Sequence, residues 1–414
     1  MTGMLLTGNA AAAWGARLAR VDYVPAFPIT PQTEIIETLA GWMDSGEVPG
    51  RLVTLESEHS MVTAAGAAAA TGVRVFTATS SQGLLYAMEM LYTVSGWRAP
   101  FVLVNVSRGL ATPITLEPDH NDILAARDCG FLQIHCATCQ EVLDNVLIAY
   151  RLAEDERIRL PVIVNLDGFY LSFTREAVEL PEPDAVDAFL PPFAARGIEF
   201  RASQPESQAV AVLGGGPYSY FRYETHLAAT NGLRVYAEIG AELGERLGRT
   251  YAPLESYRSD DADTCFVMLG SFATKAKAAV DALRRAGRRV GLVRPRLLRP
   301  FPAAELRQAL AGKAGVAVID QNLSFGFGGV LHGELCSALY GQPDAPVLVS
   351  YIGGLGGRDI AQEELFEIAR VTEQAAARGE APPPRLLYTG DELREIRKLQ
   401  TLAQVERNSL GEAR

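Results

Sequence analysis

The chain has 414 residues, of which 48% are hydrophobic and 21% charged, enough for roughly two or three domains with buried cores. Its 38 Lys and Arg residues and 49 Asp and Glu residues give a formal net charge of −11, which argues against nucleic acid or an anionic membrane surface as a partner. The longest run of small and apolar residues, at 61–70, has about half the length of a membrane-spanning helix, and no secretory signal pattern opens the sequence. We therefore expect a cytoplasmic protein that does not enter a membrane.

From residue 7 to residue 166, stretches of helical periodicity alternate with short apolar runs, a pattern typical of a parallel sheet covered by helices. Strands are predicted over residues 23–27, 51–55, 73–79, 101–106, 131–134 and 161–166. Helices are predicted over residues 9–20, 31–44 and 140–153, and from about residues 58 and 82. The second helix is expected to have Thr30 at its N-cap and Pro31 at its first position.

The composition changes after residue 180. The motifs Leu180-Pro-Glu-Pro-Asp and Leu190-Pro-Pro indicate a linker, because proline has no backbone N–H to continue the hydrogen bonding of a helix or a strand. A second α/β unit is predicted, with strands over 265–269, 290–293 and 315–319, and helices over 273–286, 303–311 and from about 328. The predicted division is a first domain over 1–180, a linker and connecting region over 181–258, a second domain over 259–345, and an extension over 346–414 that packs on a partner.

The loops at the carboxyl ends of the strands are the first places to look for a site in an open α/β sheet. After the first predicted strand comes Phe27-Pro-Ile-Thr-Pro31. Its prolines restrict the backbone around Thr30 and hold the hydroxyl before a helix N-terminus, where an anion is favoured. Thr30 is therefore a candidate donor to a substrate carboxylate, and an ordinary N-cap is the simpler interpretation.

Glu58 stands at the start of a helix rich in small residues, in Leu55-Glu-Ser-Glu58-His-Ser-Met. Alanine and glycine permit the close approach of a flat ligand, and a partly desolvated carboxyl group could bond to a heterocyclic nitrogen. Thiamine chemistry needs such a carboxylate to protonate the pyrimidine ring. The simpler interpretation is an acid in the first turn that interacts with the helix dipole.

Arg108 follows the apolar run 101–106 in Ser107-Arg108-Gly-Leu-Ala-Thr-Pro113. A buried arginine needs an anionic partner, and its planar guanidinium suits a carboxylate, either of a substrate or of a structural ion pair. The neighbouring motif Thr79-Ser-Ser-Gln-Gly83 supplies small polar groups at another strand end, or forms a plain strand-to-helix turn. Together these loops indicate a site directed at an anion and a heterocycle.

Other motifs predict no metal, cluster or diphosphate site in this chain. The chain has five cysteines: Cys129, Cys136, Cys139, Cys265 and Cys336. They are too few, and odd in number, for a disulfide framework, which fits a reducing compartment, and their spacing is not that of a ferredoxin. Buried thiols are the simpler interpretation. The run Gly326-Phe-Gly-Gly-Val-Leu331 lacks the third glycine of a dinucleotide fingerprint, so close packing at a helix start is predicted. No P-loop, no Gly-x-Ser-x-Gly and no Gly-Asp-Gly motif with a downstream asparagine occurs.

Seven segments resemble, in order, those of the α subunits of 2-oxoacid:ferredoxin oxidoreductases, most closely the pyruvate type. They are Phe27-Pro-Ile-Thr-Pro-Gln-Thr-Glu34, Glu56-Ser-Glu-His59, Phe76-Thr-Ala-Thr-Ser-Ser-Gln-Gly83, Asn105-Val-Ser-Arg-Gly-Leu-Ala111, Arg127-Asp-Cys-Gly130, Ala153-Glu-Asp-Glu156 and Gly353-Gly-Leu-Gly-Gly-Arg-Asp359. The resemblance covers nearly the whole chain and implies an α/β fold. That fold is a doubly wound, pyrimidine-type thiamine diphosphate-binding domain followed by a transketolase C-terminal-like domain.

The resemblance also implies roles for individual residues. Glu58 would be catalytic and activate the aminopyrimidine, while Thr30 and Arg108 would bind the substrate carboxylate. The residues expected to contact the cofactor are Pro28, Glu58, Ser81, Gln82 and Gly83.

The reaction implied is oxidative decarboxylation of a 2-oxoacid. The thiamine carbanion adds to the ketone, CO2 leaves, electrons pass singly to iron–sulfur clusters, and the acyl group goes to coenzyme A. Thiamine diphosphate would be shared with a β subunit that carries the diphosphate site. Mg2+ and [4Fe-4S] clusters would lie in partner subunits, among them a ferredoxin-like cluster subunit and a γ-type subunit. The missing Gly-Asp-Gly motif agrees with this division.

The substrate is left between two candidates. The segment Thr115-Leu-Glu-Pro-Asp-His-Asn-Asp122 differs from the more polar, aromatic stretch expected of pyruvate enzymes. Pyruvate is slightly favoured over an aryl 2-oxoacid such as phenylglyoxylate, which would give benzoyl-coenzyme A. Two alternatives of another class are a transketolase-type transferase without redox chemistry and a non-catalytic scaffold subunit.

Overall fold

The structure, a computed structural model, describes residues 2–194 and 200–412; residue 1, residues 195–199, within the predicted connecting region, and residues 413–414 lie outside the described ranges. The first elements are β1 (Thr2–Thr7), α1 (Gly8–Leu18), β2 (Tyr23–Ala26), α2 (Thr33–Asp44), β3 (Arg51–Thr54), α3 (Glu58–Ala69), β4 (Phe76–Thr79), α4 (Gln82–Tyr86), α5 (Met88–Gly96), β5 (Val102–Ser107), α6 (Asn121–Ala125), β6 (Leu132–His135), α7 (Cys139–Glu154), β7 (Val162–Asp167), β8 (Arg175–Leu180), α8 (Pro183–Phe189) and α9 (Gly215–Leu247). The later elements are β9 (Leu254–Tyr257), β10 (Thr264–Met268), α10 (Phe272–Arg285), β11 (Val290–Pro295), β12 (Leu297–Arg299), α11 (Ala303–Leu310), β13 (Gly315–Asp320), α12 (Val330–Leu339), β14 (Val347–Ile352), α13 (Gln362–Arg378), β15 (Arg385–Leu386) and α14 (Gly390–Glu412).

The first sheet has the strand order β12-β6-β7-β5-β4, and its four strands β6, β7, β5 and β4 are parallel. A parallel pair, β2 and β3, continues the sheet beside β4 through a bridge between Tyr23 and Val75. Every residue of β5 and β7 is buried, as expected of central strands with helices on both faces. The prediction of a parallel α/β sheet over residues 7–166 is confirmed.

Helix α1 approaches its neighbour α7 closely because small residues line α1. α1 begins after Thr7, whose hydroxyl accepts a hydrogen bond from the Ala10 amide. A Cβ on Gly15 of α1 would stand 2.7 Å from the Cβ of Val146 on α7, so only glycine allows these two helices their present distance. The buried face of α1 is otherwise mostly alanine.

The second sheet has the order β15-β14-β13-β10-β11-β9 and is parallel except for the edge strand β9. Successive residues of β10 face opposite sides. Phe266 belongs to the core under α10 and α13, and Val267 belongs to the core under α11 and α12. This sheet is therefore covered by helices on both faces as well.

Two predicted boundaries are wrong. β14 pairs with β13 along its length and α13 packs on the same sheet, so the second domain continues past residue 345 and residues 346–414 are not all an extension. α2 begins at Thr33, with Gln32 at its N-cap, because the chain first turns from Ile29 to Gln32. Thr30 therefore precedes the helix and does not cap it.

The region 181–258, predicted as linker, contains the 33-residue helix α9. Its first half is exposed although it carries several aromatic residues, and only the half from Ala228 packs against the first domain. Within residues 2–194 and 200–412, no helix combines the length and the apolar character needed to cross a bilayer.

The two domains share a buried polar contact. Asp167, at the end of β7, lies 2.7 Å from Nε2 of His120 and accepts hydrogen bonds from the amide (2.8 Å) and the hydroxyl of Ser271, which follows β10. Nearby, Arg294 of β11 is completely buried and is paired with Glu141 of α7. Charged groups of both domains are thus paired where the domains meet.

Candidate functional site

The candidate site lies where β4 and β5 end side by side. The two strands are parallel and register Thr79 opposite Asn105, so the loops that follow them start at the same edge of the first sheet. Ser80, Ser81 and Gln82 leave β4 at this edge, and Arg108 leaves β5. The geometry follows from the sheet, because the carboxyl ends of neighbouring parallel strands face the same side.

Arg108 is 6% exposed and holds two loops together with its guanidinium. Nη1 donates to the carbonyl oxygen of Thr30 at 2.7 Å, and Nη2 donates to Oε1 of Gln82 at 2.7 Å. Burial lowers the pKa of the guanidinium, and the charge of Asp122 opposes that effect. Among the described residues, no carboxylate accepts a hydrogen bond from the Arg108 side chain, although a buried guanidinium is normally paired with an anion.

Gln82 and Ser81 orient this arginine. The hydroxyl oxygen of Ser81 lies 2.7 Å from Oε1 of Gln82 and 2.9 Å from the carbonyl oxygen of Gly109. It has one proton and donates it to one of these two acceptors. Ser81 has φ of +49°, a left-handed value that costs a non-glycine residue about 1–3 kcal/mol. Such strain is retained where the surrounding contacts require that conformation.

Glu58 is the first residue of α3 and is only 4% exposed. Ser57 caps this helix by accepting a hydrogen bond from the Ser60 amide, so Glu58 need not do so. Burial raises the pKa of the Glu58 carboxyl, opposed by a bond to its own backbone amide. A Cβ on Gly83 would stand 2.4 Å from Oε1 of Glu58 and 2.5 Å from Oγ1 of Thr79, so the missing side chain leaves room for the carboxyl group.

Four buried polar atoms around these residues have no hydrogen-bond partner within the described part of the chain. They are Oγ1 of Thr79, Oγ of Ser80, Nε2 of Gln82 and Nε of Arg108. Buried polar atoms are normally paired, and an unpaired one costs about 1–3 kcal/mol. Their concentration at one sheet edge indicates a place for a polar ligand.

The structure brings most of the predicted residues into direct contact. Arg108, Gln82 and Ser81 form one hydrogen-bonded group, and Gly83 lies against Glu58. Thr30 reaches the group through its carbonyl oxygen rather than its hydroxyl, and its side chain is exposed, as is Pro28. The roles of the Thr30 hydroxyl and of Pro28 stay predictions.

Sequence reasoning missed the residues beneath the site. Asn105 and Ser107 of β5, Asn165 of β7 and Asp122 of α6 form a buried hydrogen-bonded cluster. Polar residues inside two otherwise apolar strands were a visible indication of it, because such residues require partners. Burial raises the pKa of Asp122, and the hydrogen bonds from Ser107 and Asn105 oppose the rise.

The donor set suits a heterocyclic, anionic ligand and does not suit a metal. Within the described ranges no three His, Cys, Asp or Glu residues are placed to share an ion. The five cysteines are free thiols, four of them buried, and burial raises the pKa of Cys129 to about 12. By contrast, a buried carboxyl group, a glycine beside it and an arginine with an unused Nε fit the aminopyrimidine and the 2-oxoacid expected from the sequence.

Family models match both domains. The model described as "Pyruvate flavodoxin/ferredoxin oxidoreductase, thiamine diP-bdg" matches residues 14–236, and "Pyruvate:ferredoxin oxidoreductase core domain II" matches residues 262–365. The first match alone covers more than half of the chain and contains every candidate site residue. The second reaches past residue 345, as β14 does.

Individual proteins are similar over almost their whole length. Pyruvate synthase subunit PorA of Methanothermobacter thermautotrophicus is 39% identical over 369 residues, which cover 89% of this chain and 95% of the relative. Ketoisovalerate oxidoreductase subunit VorA of Pyrococcus furiosus is 42% identical over 367 residues, which cover 88% and 92%. These relatives differ in the 2-oxoacid that their names give.

Solved structures share the fold. A 2-oxoglutarate:ferredoxin oxidoreductase from Magnetococcus marinus matches with a TM-score of 0.70 at 21% identity, over 90% of this chain, which spans 65% of that longer chain. A split gene transketolase matches with a TM-score of 0.53 at 13% identity, over 87% of this chain. The predicted pair of domains, thiamine diphosphate-binding and transketolase-like, is confirmed. The chain therefore belongs to the pyruvate:ferredoxin oxidoreductase family, as a subunit that carries its thiamine diphosphate-binding domain and its core domain II.

Proposed function

We propose that this chain is the α subunit of a coenzyme A-dependent 2-oxoacid oxidoreductase and that its own site binds the aminopyrimidine of thiamine diphosphate and the substrate carboxylate. The observation that carries the proposal is the buried arginine Arg108, whose Nε has no partner among the described residues while both terminal nitrogens are fixed. A carboxylate placed there would satisfy the free donor. Pyruvate is the favoured substrate, in line with the PorA relatives.

Arg108 would bind and orient the 2-oxoacid. Its guanidinium is held in place before substrate arrives by Thr30 and Gln82, so little side-chain freedom is lost on binding. The unpaired Nε2 of Gln82 would supply a second donor. Because the group that leaves as CO2 carries the charge that Arg108 recognises, decarboxylation would also release the product from this residue.

Glu58 would hold a proton at a pyrimidine ring nitrogen. Burial raises the pKa of its carboxyl, which favours proton sharing with a weakly basic ring atom. Gly83 leaves the space beside the carboxyl group open. When bound, thiamine diphosphate supplies the carbon nucleophile that adds to the 2-oxo group. A β-type partner would bind the diphosphate and Mg2+, and partner subunits would carry the [4Fe-4S] clusters, with coenzyme A as cosubstrate.

The test uses the assembled complex with coenzyme A and a viologen dye as acceptor. We expect Glu58→Gln to lower turnover about 100-fold or more and Arg108→Ala to raise the KM for the 2-oxoacid about tenfold to 100-fold. Glu56→Gln and Arg370→Ala change exposed residues of the same types and should leave both parameters unchanged.

Wild-type rates in both site variants would contradict the proposal. A panel of pyruvate, 2-oxoglutarate, branched 2-oxoacids and phenylglyoxylate, run on the same complex, identifies the substrate. Pyruvate is expected to give the highest kcat/KM. A higher kcat/KM for phenylglyoxylate would identify an aryl 2-oxoacid as the substrate in place of pyruvate, and the proposed roles of Glu58 and Arg108 would not change.

A further inference from the structure

Asp122 is the point at which the two loops of the candidate site are joined. Its side chain is completely buried at the start of α6, one layer below Arg108. Oδ2 accepts hydrogen bonds from the backbone amides of Ser81 (3.0 Å) and Arg108 (3.3 Å). One carboxyl group therefore holds the first residues after β4 and after β5 at a fixed separation.

The remaining acceptor capacity of Asp122 is used by the strand beneath it. Oδ2 also accepts from Nδ2 of Asn105 at 3.1 Å, and Oδ1 accepts from the Ser107 hydroxyl and from the Ile123 amide, both at 2.7 Å. Oδ1 of Asn165 on β7 accepts in turn from Nδ2 of Asn105 at 2.8 Å and lies 3.0 Å from the Ser107 hydroxyl, whose single proton goes to the closer Asp122. The carboxyl group is thus fixed from below by β5 and β7 and holds the loops above it.

The contact with Ser81 matters most, because Ser81 has a left-handed φ. A hydrogen bond to its amide offsets part of the cost of this conformation. In this conformation the Ser81 hydroxyl reaches Gln82, and Gln82 accepts from Arg108. Loss of the contact would let the turn relax, and the Arg108 guanidinium would lose its hydrogen bond to Gln82, one of the two that hold it.

We propose that Asp122 is a positioning residue for recognition of the 2-oxoacid carboxylate and acts through the Ser81–Gln82–Arg108 group. The inference rests on the proposed function of Arg108, since it assumes that this guanidinium binds the substrate. Asp122 itself has no free acceptor to offer a ligand, because five donors already occupy its two oxygens. Its effect should therefore appear in substrate affinity.

The test is a double-mutant cycle on the assembled complex. Asp122→Ala should raise the KM for the 2-oxoacid about tenfold with kcat changed less than about threefold, and leave the KM for coenzyme A unchanged. Asp122→Asn keeps one oxygen for the loop amides and should raise the KM for the 2-oxoacid only about threefold. In an Arg108→Ala background, Asp122→Ala should add less than about twofold, because it acts through the arginine.

Asp119→Asn is the matched control. Asp119 lies three residues away, is also buried and accepts a hydrogen bond from the Asn121 amide but none from the amides of Ser81 and Arg108, so the KM should not change. The outcomes separate the two hypotheses. If Arg108→Ala leaves the KM unchanged, the substrate-binding role proposed for Arg108 fails. If Arg108→Ala raises it but Asp122→Ala and Asp122→Asn do not, or if the effects of Arg108 and Asp122 are additive, the positioning role is overturned. If the alanine variant does not fold, Asp122→Asn alone decides, in both backgrounds.

Discussion

At the scale of single residues, the site is determined by what surrounds each functional group. Arg108 is useful because its terminal nitrogens are already bound and Nε is not. Glu58 is useful because α3 is capped by Ser57, which leaves its carboxyl group free of a structural role in the helix. Sequence order predicted both residues, since each lies just beyond the carboxyl end of a strand. It could not predict which neighbouring atoms would be left without partners.

Replacement of Gly83 by alanine tests the space beside Glu58. The new Cβ would stand 2.4 Å from Oε1 of Glu58, and the carboxyl group must move away because it is the flexible partner. We expect a folded complex whose turnover falls about tenfold or more. Gly96→Ala is the control, because a Cβ there meets nothing within 4 Å. Equal activity of the two variants would show that the position of Glu58 is not critical.

At the scale of elements, the strand ends determine the site and the apolar core determines the strands. Apolar runs predicted β5, β7, β10 and β13 within one or two residues, because central parallel strands are buried on both faces. Edge and antiparallel strands such as β1, β8 and β12 were missed. They are short or half exposed, so their sequences show no continuous apolar run. The long helix α9 was missed because it starts with Gly215-Gly-Pro217, residues that normally interrupt a helix, and because its first half packs on no core.

α12 offers a test of how one carboxyl group supports a helix. Asp320 accepts hydrogen bonds from the amides of Leu331 (2.7 Å) and His332 (3.1 Å), where the helix begins, and Gly329 leaves no room for a Cβ beside it. This is the close packing that was predicted for residues 326–331. Burial nevertheless raises the pKa of Asp320 to about 7, since it outweighs those two hydrogen bonds.

A carboxyl group with a raised pKa binds a proton more tightly in the folded chain than in the unfolded chain. Its contribution to stability is therefore complete below the ordinary Asp range and is lost as the pH rises to about 7. We expect Asp320→Asn to flatten the fall in the unfolding midpoint between about pH 4 and pH 7, measured by denaturant titration of the full chain. A wild-type slope in the variant would contradict the prediction. Asp344→Asn, on the exposed turn after α12, is the control.

At the scale of the whole molecule, a buried ion network joins the two domains. Arg294 of β11 pairs with Glu141 of α7 at 2.5 Å and with Glu255 of β9 at 2.7 Å, and it is 0% exposed. Burial raises the pKa of Glu255, but Arg294 and the groups around it lower it to about 2. Both carboxylates are thus ionised at neutral pH, and Arg294 shares them with Arg296, which lies 3.3 Å from Glu141, and with Lys277, which pairs with Glu255.

Removal of this arginine should destabilise the chain strongly. Arg294→Met keeps apolar volume but removes the most buried cation between two carboxylates. Because Arg296 and Lys277 remain beside them, the expected cost approaches but does not exceed the about 3–5 kcal/mol of an uncompensated buried charge. A decrease of that size in the free energy of unfolding, from denaturant titration, is the expected result. Arg370→Met removes an exposed partner of Glu367 and should leave the midpoint unchanged. If both variants unfold at the same denaturant concentration, the network contributes nothing.

β12 has a consequence for how the protein can be divided. The strand comes from the second half of the chain, directly after β11, yet it pairs antiparallel with β6 at the border of the first sheet. A fragment that stops at residue 258 would keep every candidate site residue but expose the backbone of β6. An uncovered strand of this kind recruits other chains and aggregates. The family matches divide the chain into two modules. A soluble fragment of the first module nevertheless needs residues 297–299 to cover β6. They can be supplied by keeping the second domain or by adding that strand as a peptide.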